Sequence, residues 1–294
     1  MKNPFCSFII AVYNREKYVA DAINSILKQT YPDFELIIVN DGSTDRSDEI
    51  IKSFTDPRVR YFNIKHKGCW STKNYAIKKT KGHFLCFIDS DDYISPDFLQ
   101  NAYYSIMKAP DYDYYYPTAL SIVLENGEDT NHIWRYVEYP LEQRQNLIKL
   151  FWEKCVGGIP HAAAFISCEV FKKFGYYNDT FFNLSDTAYV ISHAMEIRFH
   201  FTPGLITYYN RQHPAQTNAN MNERMRTFSE ILDEIIKKYP TEYFLDTQVD
   251  KDSPEFCKIC VGKFMELANT TQYNMYYIQK AEKYLAKFKE FGPI

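Results

Sequence analysis

The chain has 294 residues, a mass of 34.8 kDa and a net charge of −3 with 24% charged residues. It carries no basic excess for a nucleic-acid backbone, so sequence-independent nucleic-acid binding is not expected. The length accommodates one large α/β domain with an appendage or two modest domains. Its seven cysteines, scattered through apparent strands and helices, argue for reduced thiols rather than a disulfide framework.

The opening run, MKNPFCSFIIAVYNREKYV, is too short and too charged at its end for a signal peptide, and reads as a first strand over Ser7 to Val12. No later stretch approaches the roughly 20 apolar residues of a membrane-spanning helix, so the expectation is a soluble, cytoplasmic protein. Val19, Ala22, Ile23, Ile26 and Leu27 have the spacing of one buried helical face, closed by Tyr31-Pro32. Phe34 to Val39 is a second strand ending in Asn40-Asp41-Gly42-Ser43, after which Thr44 or Asp45 is placed to cap a helix to about Thr55. Val59 to Ile64 is a third strand, and Ser71 to Lys81 a helix closed by Gly82. The fourth strand, FLCFI from Phe84, delivers Asp89-Ser90-Asp91-Asp92 at its carboxyl end. Strands alternating with helices imply a parallel sheet with right-handed crossovers, whose ligands gather beyond the carboxyl ends of the strands.

Three carboxylates within four residues repel one another unless a cation sits among them, and closely spaced oxygens suit Mg²⁺ or Mn²⁺. The plainer alternative is an acidic turn before a helix with Ser95 as N-cap and Pro96 at its first position. Other groups collect at the same edge: Ala11, Tyr13, Asn14 and Arg15 after the first strand, Asp41 after the second, and Lys65 to Trp70 after the third. An aromatic ring, a carboxylate, a lysine and a metal-binding cluster suit a nucleotide diphosphate. Neither GxGxxG nor GxxxxGK[ST] is present, so phosphate is expected to meet metal and cationic side chains rather than a glycine cradle.

The runs SFIIAVYNREKYVADAINSILKQTYPDFELIIVNDGSTD and KNYAIKKTKGHFLCFIDSDDYISPDF resemble the amino-terminal half of family 2 glycosyltransferases. The likeness is strong over about residues 5 to 110 and weaker to about 215. It implies the GT-A fold and a nucleotide-sugar donor, usually UDP-linked. It also implies an inverting single displacement with Mn²⁺ or Mg²⁺, acting in surface glycan or glycoconjugate synthesis. By position it implies that Ala11, Tyr13 and Asp41 hold the base, with Arg15 and Ser90 in the same nucleotide site, Asp89 on the ribose and Asp91 on the metal. Lys73-Asn74 stands where the family commonly has Arg-Asn, which makes Lys73 a ribose or diphosphate contact without the bidentate fork of arginine.

From Tyr112 to Tyr136 the pattern is strand-like, with a turn at Asn126-Gly127. Leu141 to about Cys155 reads as a helix, Gly157-Gly158-Ile159-Pro160 as a break, and Ala162 to Ser167 as a strand. Trp152 and His161 are candidate donor or acceptor contacts, as is Asp92, although single residues beside a break are more often structural. In FFNLSDTAYVISHAM, Asp186 heads a helix with Ser185 as a cap candidate. The resembled family has an acidic pair here whose Asp is the catalytic base, so the resemblance implies that role for Asp186 while Ser185 departs from the pattern. Leu205 to Asn210 reads as a further strand. Beyond it, the resemblance makes His213 a candidate metal ligand and Arg211 a candidate phosphate partner.

Residues 222–294 read as helical throughout, with one apolar face at Phe228, Ile231, Ile235 and Ile236 and another at Phe256, Ile259, Cys260 and Phe264. Cys257 and Cys260 form a CxxC without a second ligand pair, so no zinc site is expected. The last helix is amphipathic; packing on the body is its plain reading, and peripheral attachment to the inner face of a membrane is the runner-up. The expected organisation is residues 1–110 for the donor half, 111–221 for the acceptor half and 222–294 for a helical extension. The expected activity is transfer of a sugar to a hydroxyl of a glycan, lipid-linked or protein acceptor. The alternatives are a non-catalytic sugar-nucleotide-binding module and a haloacid-dehalogenase-like phosphatase.

Overall fold

The computed structural model describes residues 3–136, 145–154, 159–181, 184–202, 208–213, 221–245, 247–270 and 275–291. Its first half alternates β1 (Cys6–Val12), α1 (Val19–Leu27), β2 (Phe34–Asn40), α2 (Ser47–Lys52), β3 (Val59–Asn63), α3 (Cys69–Ile77) and β4 (Phe84–Phe87). β1 lies between β2 and β4 and is parallel to both, and β3 adds in parallel to β2. A strand covered on both faces must be apolar on both faces. β1 and β2 meet that condition: Phe8, Ile10, Leu36 and Ile38 pack toward α1, while Ile9, Ile37 and Val39 pack toward Trp70, Ala76 and Ile77 of α3. β3, at the rim, is half-buried.

Beyond β4 come β5 (Tyr93–Ile94), α4 (Phe98–Lys108), β6 (Tyr114–Pro117), β7 (Ala119–Val123), β8 (Asp129–Arg135), α5 (Gln145–Lys154), β9 (Phe165–Ser167), α6 (Cys168–Phe174), α7 (Ser185–Ser192), β10 (Phe199–Thr202) and β11 (Tyr208–Arg211). The central sheet has the order β10-β6-β9-β4-β1-β2-β3, and a second sheet the order β5-β11-β7-β8. β9 is antiparallel to both neighbours, β4 and β6. The fold is therefore a mostly parallel α/β sheet with helices on its faces and a smaller sheet beside its ligand edge.

Four helix ends differ from expectation: α2 begins at Ser47 with Arg46, not Thr44 or Asp45, in the N-cap position, and α3 ends at Ile77 with Lys78, not Gly82, as its C-cap. The fourth helix begins at Phe98 with Asp97 in the N-cap position, not at Ser95-Pro96. Ser95 and Pro96 instead belong to the turn that leads into the helix, where the Phe98 N–H donates to the Ser95 carbonyl at 3.2 Å, and their carbonyls also accept from Gln29 Nε2 (2.7 Å, to Ser95) and from the Thr30 backbone N–H (2.8 Å, to Pro96). Likewise Ser185 is the first residue of α7 rather than its cap; Leu184 precedes it with φ +60°, and the Ser185 hydroxyl donates to the Asn178 carbonyl at 2.7 Å. The ends of the expected helix at 141–155, the break at 157–158 and the start of the strand expected from 205 lie outside the described residues.

Residues beyond 220 form α8 (Met221–Lys238), α9 (Pro254–Thr270) and α10 (Met275–Glu290). Their apolar faces join the core on the α3 side of the sheet. Phe228 packs on Phe151 at 5.6 Å between ring centres, Phe244 on Trp152 at 4.8 Å, and the Tyr239 hydroxyl donates to the Ile191 carbonyl at 2.6 Å. Cys257 and Cys260 are buried free thiols within α9. Among the described residues, no helix is long and apolar enough to cross a membrane.

Candidate active site

Asp41 follows β2 and is almost wholly buried. Its Oδ1 accepts the Lys67 N–H at 2.8 Å and its Oδ2 the Gly68 N–H at 2.9 Å, while His66 Nδ1 lies 2.9 Å from Oδ2. The carboxylate therefore ties the loop after β3 to the end of β2. Gly42 makes this closure feasible: at φ +67° it turns the chain, and a Cβ there would lie 2.9 Å from the His66 nitrogen. His66 in turn stacks on Tyr13, with ring centres 4.2 Å apart and planes 26° apart. Tyr13, after Ala11 and Val12 of β1, is 41% exposed and offers an aromatic surface at the mouth.

Gly68 leads into α3, which carries Lys73 into the site. The Lys73 ammonium lies 3.4 Å from Asp89 Oδ1 and 4.8 Å from the centre of the Trp70 ring. Burial works against its charge, but Cys69, Asp89 and Asp186 outweigh that and raise its pKa above the ordinary lysine value. Asp186, the second residue of α7, comes to the same edge from about a hundred residues away in sequence. Burial pushes its carboxyl pKa up, opposed by Lys73 and by the Thr187 N–H that donates to Oδ1 at 2.8 Å.

The three acids after β4 have different environments. The Asp89 side chain is 47% exposed and faces Lys73, and Ser90 beside it is buried. Asp91 Oδ2 lies 2.8 Å from His213 Nε2 and 3.4 Å from Arg15 Nε. The His213 ring is held against Tyr18, with centres 4.6 Å apart, and its Nδ1 is buried with no hydrogen-bond partner. Asp92 is 1% exposed; Oδ2 accepts from the Tyr208 hydroxyl (2.6 Å) and Asn210 Nδ2 (2.9 Å), and Oδ1 from the Arg211 N–H (2.8 Å). Burial and the charges of Asp89 and Asp91 push its pKa up to about 8. Asp92 thus fastens the acidic turn to β11, and β11 continues into His213.

Asp91 and His213 suit a hard divalent ion. Neighbouring ligands on an octahedral ion with bonds of about 2.0–2.1 Å lie about 3 Å apart, close to the separation these two atoms already have. Among the described residues, no three His, Cys, Asp or Glu side chains gather into a metal cluster.

Ala11, Tyr13, Arg15, Asp41, Lys73, Asp89, Ser90, Asp91, Asp186 and His213 thus all lie at the carboxyl edge of the sheet or on the elements that cover it. The other candidates are held elsewhere. Trp152 packs on Phe244 in the core. His161 is buried among aromatic rings, 4.4 Å from Phe87 between centres, with Nε2 2.7 Å from the Tyr177 hydroxyl; burial and Lys73 hold its pKa well below the usual range. Arg211 donates from Nη2 to Asp21 at 3.0 Å and lies over the rings of Tyr18 and Tyr93. His66, Tyr18 and Tyr208 were not singled out from sequence. His66 follows a strand whose end faces the ligand, which was a usable signal, whereas nothing local marks Tyr18 or Tyr208.

A parallel α/β sheet with an acidic turn, a buried lysine and a late carboxylate converging on its carboxyl edge defines a GT-A type nucleotide-sugar fold. The family description Glycosyl transferase family 2 matches residues 7–175, more than half of the sequence, and the chain belongs to that family. Glycosyltransferase GlyA of Streptococcus pneumoniae is 38% identical over 102 residues, covering 34% of this chain and 15% of its own length. Glycosyltransferase GlyG of the same organism is 37% identical over 105 residues, covering 35% of each chain. These alignments span well under half of the relatives they match. Across the whole fold, the chain resembles S. aureus TarS 1-349 in complex with UDP-GlcNAc, with a TM-score of 0.59 and 17% identity over 97% of this chain and 91% of that one. It also resembles mannosyltransferase PcManGT from Pyrobaculum calidifontis in complex with GDP-Man and Mn²⁺, with a TM-score of 0.56 and 17% identity over 100% and 77% of the two chains. Family membership and the position of the acidic turn after the fourth strand set aside a dehalogenase-like phosphatase.

Proposed function

We propose that this chain transfers a sugar from a nucleotide diphosphate sugar, UDP-linked in the first instance, to an acceptor hydroxyl with inversion at the anomeric carbon. What supports this is the gathering at one sheet edge of Asp186, whose carboxylate interacts electrostatically with Lys73 and Asp89, and of the Asp91–His213 pair on the same acidic turn as Asp89. Tyr13 offers a face for the base, and Asp41 shapes the loop around it. Lys73 supplies fixed positive charge for a diphosphate or ribose oxygen. Asp91 and His213 would hold Mn²⁺ or Mg²⁺, which supplies charge stabilisation for the departing diphosphate. Asp186 takes the proton of the acceptor hydroxyl as that oxygen bonds to the anomeric carbon and the diphosphate leaves. Its partly buried position raises proton affinity above that of an ordinary aspartate, which suits a base. A GDP-linked donor is the competing assignment, and the acceptor is a glycan, lipid-linked or protein hydroxyl.

The test is a nucleotide-sugar screen with and without Mn²⁺, followed by NMR of the product anomer. Asp186→Asn should keep donor affinity while transfer falls by about 10²- to 10⁴-fold, the usual contribution of a positioned base. Asp91→Ala should remove the Mn²⁺ dependence of donor binding. Near-normal transfer by the Asn variant, or a product with retained configuration, would reject the mechanism.

A further inference from the structure

A second cleft, of about 670 Å³, opens between α1, the β5–β11 pair and the β7–β8 turn, lined by residues other than the acids and Lys73 of the donor site. That volume falls within the roughly 300–1,000 Å³ of small-molecule sites. On its wall Tyr93 and Tyr209 sit opposite one another in register and stack nearly parallel, with ring centres 4.8 Å apart and planes 14° apart. The Tyr93 hydroxyl donates to the Gly127 carbonyl at 3.4 Å, and the Arg211 guanidinium lies 5.4 Å from the centre of its ring while donating to Asp21. These contacts set the aromatic wall in place before any ligand arrives.

The rest of the lining has a distinct chemistry. Asn24 and Ser25 come from α1, Asn126 from the turn between β7 and β8, and Asp129 from the start of β8. The Ser25 hydroxyl is engaged by the Ala22 carbonyl and the Ile94 N–H, so the groups offered to a ligand are the Asn24 amide, both donor and acceptor, and the Asn126 NH₂, whereas carboxylates accept only. That mixture matches sugar hydroxyls, which do both. Charges balance: Asp21 and Asp129 stand against Lys28 and Arg211, so the cleft has no formal bias toward anions. An extended apolar ligand would leave the polar groups without partners, and a phosphorylated one gains no net attraction from a lining whose two cations are matched by two carboxylates. An aromatic wall with a neutral, mixed hydrogen-bonding rim fits a pyranose face, whose C–H groups can lie on the rings while its hydroxyls meet the amides.

We infer that this cleft is a binding site for a neutral oligosaccharide, separate from the reaction centre. Its occupant would be held near the acidic turn, because Tyr93 directly follows Asp92 and Arg211 donates its backbone N–H to Asp92. A glycan seated there is anchored by rings that take no part in sugar transfer.

The full chain, without nucleotide or metal, is applied to an array of neutral and anionic oligosaccharides, and the best neutral binder is titrated calorimetrically. Tyr209→Ala should weaken it by about tenfold, the equivalent of one lost stacking contact, while Tyr209→Phe and Asp186→Asn stay within about twofold of the parent. Asn24→Ala, on the exposed face of α1, should weaken it by about three- to tenfold and does not depend on the Tyr209 variant folding. An array without a neutral ligand, binding confined to anionic sugars, or affinity unchanged by both Tyr209→Ala and Asn24→Ala would overturn the site. Loss of binding in Asp186→Asn would also overturn it, by placing the sugar at the reaction centre. None of these measurements uses a donor, so their failure leaves the proposed transferase activity standing.

Discussion

Replacing Asp41 with Asn keeps the shape of the side chain but removes one acceptor. In the parent, each carboxylate oxygen takes a backbone N–H, from Lys67 at 2.8 Å and from Gly68 at 2.9 Å, in a place only 2% exposed. An amide can satisfy one of them; its NH₂ group then faces the other N–H. A hydrogen bond to a charged group is worth about 1.5–3 kcal/mol, and the orphaned donor adds a desolvation cost that overlaps with it, so about 2–3 kcal/mol should be lost. For a chain of this length that is a fall of about 3–5 °C in the unfolding midpoint. The loop after β3 leads into α3 and Lys73, so donor affinity should fall with stability. Urea unfolding gives the stability change and calorimetric titration with the nucleotide diphosphate gives the affinity. A stability change under about 0.5 kcal/mol, the range of an ordinary surface substitution, would refute the role assigned to both oxygens.

Three further outcomes are expected. Gly82→Ala should destabilise the fold by about 1–3 kcal/mol in chemical unfolding, because its Cβ would stand 2.6 Å from the Ser7 nitrogen, 2.7 Å from Ser7 Oγ and 2.8 Å from the Cys6 carbonyl carbon. Asp113 accepts from Arg198 Nε at 2.9 Å and Nη2 at 2.8 Å; burial opposes its charge, but that fork and the Arg198 N–H outweigh it and hold the carboxyl below the usual aspartate range. A lowered folded-state pKa gives stability that is present above the ordinary aspartate range and lost as pH falls through the folded value, so Asp113→Asn should flatten the acid side of the stability curve below about pH 4. Asp92→Ala should orphan the Tyr208 hydroxyl, Asn210 and the Arg211 N–H, costing about 2–4 kcal/mol and weakening Mn²⁺-dependent donor binding through the displaced acidic turn; parent-like unfolding would count against Asp92 as the fastener of β11.

The amino-terminal half was legible because its information is local. Fully apolar runs such as Phe8 to Ile10 and Leu36 to Val39 announce strands covered on both faces, each followed by a helix of one apolar face, and that alternation dictates a parallel sheet. It also dictates that Tyr13, Asp41 and the acids from Asp89 share one edge. Helix caps were less legible, since Ser95 and Ser185 have the right chemistry for a cap but are engaged by Asp97 and by the Asn178 carbonyl instead. Only the tertiary structure decided which carboxylate does what. Asp91 and Asp92 are neighbours in sequence, yet one faces His213 and Arg15 while the other is enclosed by Tyr208, Asn210 and Arg211, all brought from more than a hundred residues away. The antiparallel insertion of β9 between β4 and β6 was equally out of reach. Periodicity reports how each segment is buried, whereas the partner that buries it, and the direction in which it runs, is chosen by packing among segments distant along the chain.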